Sequence, residues 1–201
     1  MSEPEHRYKA KMIKRKAAQD AEVASKTIAE KGLLIVHTGA GKGKSTAALG
    51  LALRALGRGF RVGVVQFIKG AWTTGERTAI ERFGAQVEWR TMGEGFSWET
   101  QDRARDVAAA SAAWREARRM MADSAIRLVV LDELNIALRY DYLPSAEVIA
   151  ALKARRAGLH VVVTGRNAKP ELIEAADCVT EFSLVKHHFG AGVRAQEGIE
   201  F

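Results

Sequence analysis

The chain holds one cysteine, Cys178, which excludes an intrachain disulfide and any zinc site built on cysteine thiolates. A reducing cytoplasm is therefore the expected setting. No apolar run approaches the ~20 residues of a membrane-spanning helix, so no membrane partner is expected. The N-terminal stretch lacks the apolar centre of a signal peptide, and Glu3 and Glu5 argue against a transit peptide. No repeat, low-complexity tract or long linker interrupts the chain. No nucleophile–histidine–acid triad stands out. Cys178 opens an apolar run and is expected to be buried as a small residue.

What is present is ordinary in amount and particular in arrangement. The 201 residues are most simply one domain with a sizeable core, preceded by a different N-terminal segment. Hydrophobic residues make up 47% and charged residues 27%, as in a water-soluble globular protein. The formal charge of +7 favours polyanionic partners, which include nucleotides, nucleic acid and acidic substrates.

Residues 1–30 form a basic arm. Arg7, Lys9, Lys11, Lys14, Arg15 and Lys16 crowd a stretch whose apolar stripe is only Tyr8, Met12, Val23 and Ile28. Such a stripe is too thin for a core helix, so the segment is either a mobile arm or a helix that docks on a partner. Residues 31–201 alternate short apolar runs with helical stretches. The expected strands are Leu33–His37, Val62–Phe67, Val87–Arg90, Leu128–Leu131, Leu159–Val163 and Val179–Phe182. The expected helices run near Ser45–Leu56, Gly75–Phe83, Thr100–Met121, Ser145–Arg155 and Pro170–Ala176. This alternation predicts an α/β fold with a mostly parallel six-stranded sheet and helices on both faces.

The run Thr38-Gly39-Ala40-Gly41-Lys42-Gly43-Lys44-Ser45-Thr46 lies between the first apolar run and an Ala/Leu-rich helix. That is the layout of a P-loop, in which backbone N–H groups cradle phosphates. Lys44 supplies charge to phosphate oxygens, and the Ser45 hydroxyl suits Mg²⁺. The first glycine slot of the usual pattern holds Thr38, and Lys42 adds a second cation. Such a loop places a nucleotide differently from an ordinary ATPase.

Further along, Arg127-Leu-Val-Val-Leu-Asp132-Glu133 is an apolar strand that ends in an acidic pair. Asp132 can help to hold Mg²⁺ opposite the P-loop, or it can cap a following helix. Glu133 is the other metal-binding or water-positioning candidate. Thr164-Gly165-Arg166 follows another apolar run and puts an arginine at the ligand-binding edge of a parallel sheet. The forked guanidinium suits phosphate, though a surface turn would use one as well. Gly93, Gly95, Phe96 and Trp98 place two large rings on a glycine-bearing loop, either to close over a flat apolar ligand or to fold into the core. The neighbouring His187 and His188 lack further obvious ligands, and Lys186 and Arg194 suit a positive site or polar rim.

Taken together these segments resemble the P-loop type of ATP:corrinoid adenosyltransferase, also called cob(I)yrinic acid a,c-diamide adenosyltransferase. The resemblance runs through Thr38–Thr46, Gln66-Phe-Ile-Lys-Gly70, Met92–Gln101, Leu131–Leu134, Tyr140–Pro144, Val163–Arg166 and the Val185-to-Ile199 tail, and it includes the basic arm. Departures are few: Ala40 stands where asparagine is often seen, Ser45 where threonine is common, and Asn135 follows the acidic segment.

The resemblance implies a P-loop NTPase-like, RecA-like fold and a transfer of the 5′-deoxyadenosyl group of ATP to Co(I) of a corrinoid. Triphosphate leaves, and adenosylcobalamin biosynthesis or corrinoid salvage is served. It further implies that residues 38–46 and Arg166 hold ATP, with Lys44, Arg166 and Glu133 catalytic. Ser45 and Glu133, with Asp132 nearby, would hold Mg²⁺, and Phe96 and Trp98 would pack under the corrin. A reduced flavin or flavoprotein supplies electrons, and the enzyme is a homodimer whose arm covers the partner's site. Two other readings remain on residue grounds. A γ-phosphate-transferring ATPase or kinase would release ADP, and a nucleic-acid-binding protein would bind with steep salt dependence. The chain carries no recognisable base-reading module, so no nucleic-acid partner is expected.

Overall fold

The computed structural model describes residues 3–26, 31–68, 70, 74–93 and 102–200. The chain divides into two compact units, Met1–Glu30 and Lys31–Phe201. The first is a single helix, α1 (Glu3–Ala24). Its sequence is rich in helix formers, and Lys16–Asp20 (2.5 Å) and Lys26–Glu22 (3.6 Å) pair across one turn. Among the described residues of this unit Tyr8, Ile13 and Val23 are exposed and Met12 alone is half-buried, so they supply no core for the helix to face.

The second unit runs β1 (Leu34–Thr38), α2 (Lys44–Leu56), β2 (Arg61–Gln66), α3 (Gly75–Glu81), β3 (Val87–Thr91), α4 (Arg103–Ala122), β4 (Ile126–Asp132), α5 (Leu134–Arg139), α6 (Ser145–Lys153), β5 (His160–Thr164), α7 (Pro170–Ala175) and β6 (Cys178–Glu181). The six strands form one sheet in the order β3-β2-β4-β5-β1-β6, and every pairing is parallel. The expected strands and helices all appear, with ends shifted by up to three residues. The start expected for α4 at Thr100 lies outside the described residues, as do Lys69, Phe96, Trp98 and Gln101 and the arm residues 27–30. The short helix α5 was not expected, because its six residues carry too little periodicity to read.

The apolar runs are continuous because both faces of the sheet are covered. Along β4, Val129 and Leu131 enter one core with α4 and α6, while Leu128 and Val130 enter the other with α2. Along β5, Val161 and Val163 join the first core and Val162 the second. Helix α2 buries Ala48, Leu49, Ala52 and Leu56, a helical stripe that matches its apolar spacing. Gly63 in β2 lets α4 approach closely: a Cβ there would fall 2.7 Å from Met120 Sδ. Strand β6 is an edge, and all four of its residues are exposed. Cys178 is therefore exposed, contrary to the expectation of burial, because no described helix covers that end of the edge strand.

Parallel register brings the strand ends into line. Gln66 pairs with Asp132, Leu131 with Val163, His37 with Thr164, and Thr38 with Glu181. The C-terminal rim of the sheet is thus a row of polar residues above an apolar core. In sheets of this kind ligands bind outside that rim. Strand β5 lies between the P-loop strand β1 and the acidic strand β4, so the fold is P-loop NTPase-like with one strand between its two phosphate-related elements.

Candidate active site

The loop after β1 is shaped by what presses on it. Gly39 sits at φ 94, and a Cβ there would fall 2.5 Å from the Phe182 carbonyl oxygen. Gly41 N donates to that carbonyl (2.6 Å), and Phe182 N donates to the Thr38 carbonyl (2.9 Å). A Cβ on Gly41 would lie 2.7 Å from both the Phe182 and Ser183 carbonyl oxygens. The segment after β6 therefore braces the loop by backbone contact, and only glycine fits. Gly43, at φ 103, turns the chain into α2. Thr38 needs no glycine because it is still strand. Its hydroxyl accepts from Ala168 N (3.0 Å) and so ties the P-loop to the turn after β5.

Lys44 opens α2 and is 7% exposed. Its ammonium donates to the Gly39 (2.9 Å) and Gly41 (2.5 Å) carbonyls. Burial pushes its pKa down; the nearby Glu133 carboxylate opposes that shift, and Arg166 adds to it. Lys42 is exposed and pairs with Glu200. That ion pair also lowers the Glu200 pKa.

The acidic strand meets the loop through hydrogen bonds. Asp132 is 1% exposed. Its Oδ1 accepts from Ser45 Oγ (2.7 Å) and Thr164 Oγ1 (2.7 Å), and its Oδ2 accepts from Gln66 Nε2 (3.1 Å). Gln66 is oriented in turn, because its Oε1 accepts from Trp89 Nε1 (3.1 Å) and Thr91 Oγ1 (2.9 Å). Asp132 does not cap α5; that place falls to Glu133, which adopts a left-handed conformation (φ 65) and makes no side-chain cap. Glu133 N donates to Thr164 Oγ1 (3.0 Å). A left-handed glutamate is uncommon and marks a position held by its surroundings.

One cleft of about 230 Å³ collects these groups. Its walls are loop residues 41–46, Glu133 and Arg166, with Ile199 and Glu200 along one side. The structure thus brings Lys42, Lys44, Ser45, Thr46, Glu133 and Arg166 together. Thr38, Gly39 and Ala40 lie at the base of the loop and do not line the cleft, and Asp132 sits behind Ser45. Gln66, Thr164 and Asn135 stand in or beside the segments that carry the resemblance but have no site role legible in the sequence, because their hydrogen bonds are not local; Glu200, which reaches Lys42 across 158 positions, does not stand out there at all. His188 Nε2 lies 3.0 Å from Glu200 Oε1, while His187 Nδ1 accepts from Phe189 N (3.1 Å). No helix among the described residues is long and apolar enough to cross a membrane.

The oxygen set fits a hard divalent cation. Ser45 gives its proton to a fully buried carboxylate, which leaves its oxygen lone pairs to bind a metal, and Glu133 stands beside it in the same cleft.

Comparison with known proteins identifies the family. A family described as ATP:corrinoid adenosyltransferase BtuR/CobO/CobP matches residues 30–201, and one described as Cob(I)alamin adenosyltransferase N terminal matches residues 1–23. A corrinoid adenosyltransferase of Pseudomonas aeruginosa is 55% identical over 99% of this chain and 98% of its own. The corrinoid adenosyltransferase CobA of Salmonella typhimurium is 50% identical over 98% of this chain and 99% of its own. A corrinoid adenosyltransferase of Escherichia coli is 48% identical over the same shares. A P-loop whose lysine and serine share one cleft with Glu133, in a chain matched by these likenesses along nearly its whole length, places the protein in the ATP:corrinoid adenosyltransferase family.

Proposed function

We propose that this cleft is where the enzyme grips the triphosphate of ATP while the 5′-deoxyadenosyl group passes to a corrinoid in cobalamin biosynthesis. The observation that carries the assignment is the convergence of Lys44, Ser45, Glu133 and Arg166 on one cleft at the C-terminal rim of the sheet. The electron pair of Co(I) attacks C5′ of ATP. A Co–C5′ bond forms, the C5′–O5′ bond breaks, and its electron pair leaves on the triphosphate as cobalt rises formally to Co(III). Cobalt is the nucleophile, so the protein's work is positioning and charge stabilisation. Lys44 and Arg166 face the negative charge that grows on O5′ and the phosphates. Lys42 joins them once Glu200 yields it. The loop amides hold the phosphate oxygens in place.

Ser45 and Glu133 are the residues that would hold Mg²⁺, with Asp132 fixing the serine. The ion, when bound, neutralises part of the triphosphate charge. Glu133→Gln and Ser45→Ala are each expected to raise the Mg²⁺ concentration needed for half-maximal activity about tenfold or more. A titration of activity against Mg²⁺ measures this, and unchanged curves in both variants would remove these residues from the metal site.

Phe96 and Trp98 close over the lower face of the corrin and exclude water and the lower cobalt ligand, which eases reduction of Co(II) by a reduced flavin or flavoprotein. Their replacement by alanine should leave ATP affinity intact and slow adenosylation from Co(II) far more than from preformed Co(I). Equal impairment with both cobalt states would make the rings structural. The enzyme works as a homodimer in the cytoplasm, and the basic arm covers the partner's site. This reading fits α1, whose described apolar residues supply no core within their own unit.

The whole assignment is tested by incubation with ATP, Mg²⁺ and chemically reduced corrinoid. Light-sensitive adenosylcorrinoid and free triphosphate are the expected products. ADP and phosphate in their place would return the protein to the γ-phosphate-transferring class.

A further inference from the structure

We propose that Asn135 is a positioning residue that sets Arg166 against the P-loop; this rests on the reading that Arg166 receives the triphosphate. Asn135 is 0% exposed and lies in the first turn of α5, two residues after Glu133. Its Nδ2 donates to the Gly165 carbonyl (2.8 Å) and, at 3.4 Å, to the His37 carbonyl. Both partners are carbonyl oxygens, which fixes the amide's orientation, since only its NH₂ end can serve them. Gly165 immediately precedes Arg166, and His37 immediately precedes Thr38. One side chain thus links the ends of β1 and β5 from a helix that starts at the end of β4.

The turn that carries Arg166 has little room to shift. Gly165 is held at φ 126, and a Cβ there would lie 2.9 Å from Asn135 Cβ and 3.0 Å from Glu133 Oε2. Beyond Arg166, Ala168 N is tied to Thr38 Oγ1. Arg166 itself is exposed and lines the cleft, so the position of its turn decides where its charge falls. Asn135 Oδ1 is buried with no hydrogen-bond partner among the described residues. A buried amide with one end unsatisfied is a poor source of stability. Its placement is better explained by the geometry that its donor end imposes. A small misplacement of a charged group at a reacting centre costs far more rate than stability.

The test is a double-mutant cycle of Asn135→Ala and Arg166→Ala in the adenosylation assay with chemically reduced corrinoid. It is read as kcat and the KM for ATP, with Tm as a control. Asn135→Ala should lower kcat about tenfold, leave KM within about threefold, and lower Tm by only a few degrees. On the Arg166→Ala background the same change should cost no more than about twofold, because the residue acts through an arginine already gone. Asn135→Ser keeps a donor and should recover part of kcat; if the alanine variant does not fold, the serine variant carries the cycle. Additive losses, or an unimpaired Asn135 variant beside an impaired Arg166→Ala, would overturn the proposal. A fully active Arg166→Ala would instead overturn the role assigned to the arginine, and the proposal with it.

Discussion

Replacement of Lys44 by alanine is expected to lower kcat/KM for ATP by about 10²–10³-fold or more, the loss typical of a donor aimed at developing charge. Lys44 is the first residue of α2, almost fully buried, with its ammonium among the loop carbonyls and in the electrostatic field of Glu133 and Arg166. It is therefore a buried charge placed by the fold at the loop, whereas Lys42 and Arg166 are exposed. Lys44→Arg should be nearly as damaging. A planar guanidinium does not pack where a slender chain threads between the Gly39 and Gly41 carbonyls. Both variants should remain folded, because the sheet and its two cores do not include the loop. Calorimetry of ATP binding together with adenosylation rates measures the effect. Wild-type affinity and rate in Lys44→Ala would show that the loop is not the nucleotide site.

Asp132→Asn should lower both stability and activity, and it separates charge from shape. The amide oxygen can still accept from Ser45 and Thr164, but its NH₂ would then point at the Gln66 amide donor. Gln66 cannot simply turn over, because its oxygen is already committed to Trp89 and Thr91. A donor is left facing a donor in a dry site, which costs about 1–3 kcal/mol, or roughly 2–12 °C in Tm for a chain of this size. The negative charge behind Ser45 is lost as well, so the Mg²⁺ requirement should rise about 10–100-fold, the usual effect of removing an outer partner of a metal ligand. Thermal melts and Mg²⁺ titrations check the two parts independently. A variant with wild-type Tm would mean that the Gln66–Trp89 network is slack, and unchanged metal dependence would leave Asp132 with a purely structural role.

Most of the fold could be read along the chain, and the reasons lie in particular residues. The strands β4 and β5 appear as unbroken Leu/Val runs because both faces of the sheet are covered, and α2 shows its Ala48, Leu49, Ala52, Leu56 stripe because only one face is. The P-loop is legible because phosphate binding by backbone amides demands glycines at close spacing. The reading failed where the information is not local. Cys178 looks like a core residue from its neighbours, yet β6 turned out to be an exposed edge. Asp132 reads from the sequence first as serving the metal, with a helix cap as the alternative. The left-handed Glu133 begins α5 instead, and Asp132 binds the side chains of Ser45, Gln66 and Thr164.

The sequence by itself determined the class of the sheet, the phosphate loop, the acidic strand end and, through resemblance, the reaction, because each depends on short-range pattern and residue type. Only the tertiary structure decided which groups meet. Parallel register lined up Gln66, Asp132, Thr164 and Thr38 along one rim, and the segment after β6 folded back to press on Gly39 and Gly41. The same fold brought Glu200 onto Lys42 and tied Asn135 to the carbonyl of Gly165, just before Arg166. These contacts join residues about 30 to 160 positions apart, and strand order and register, rather than local pattern, bring such residues together.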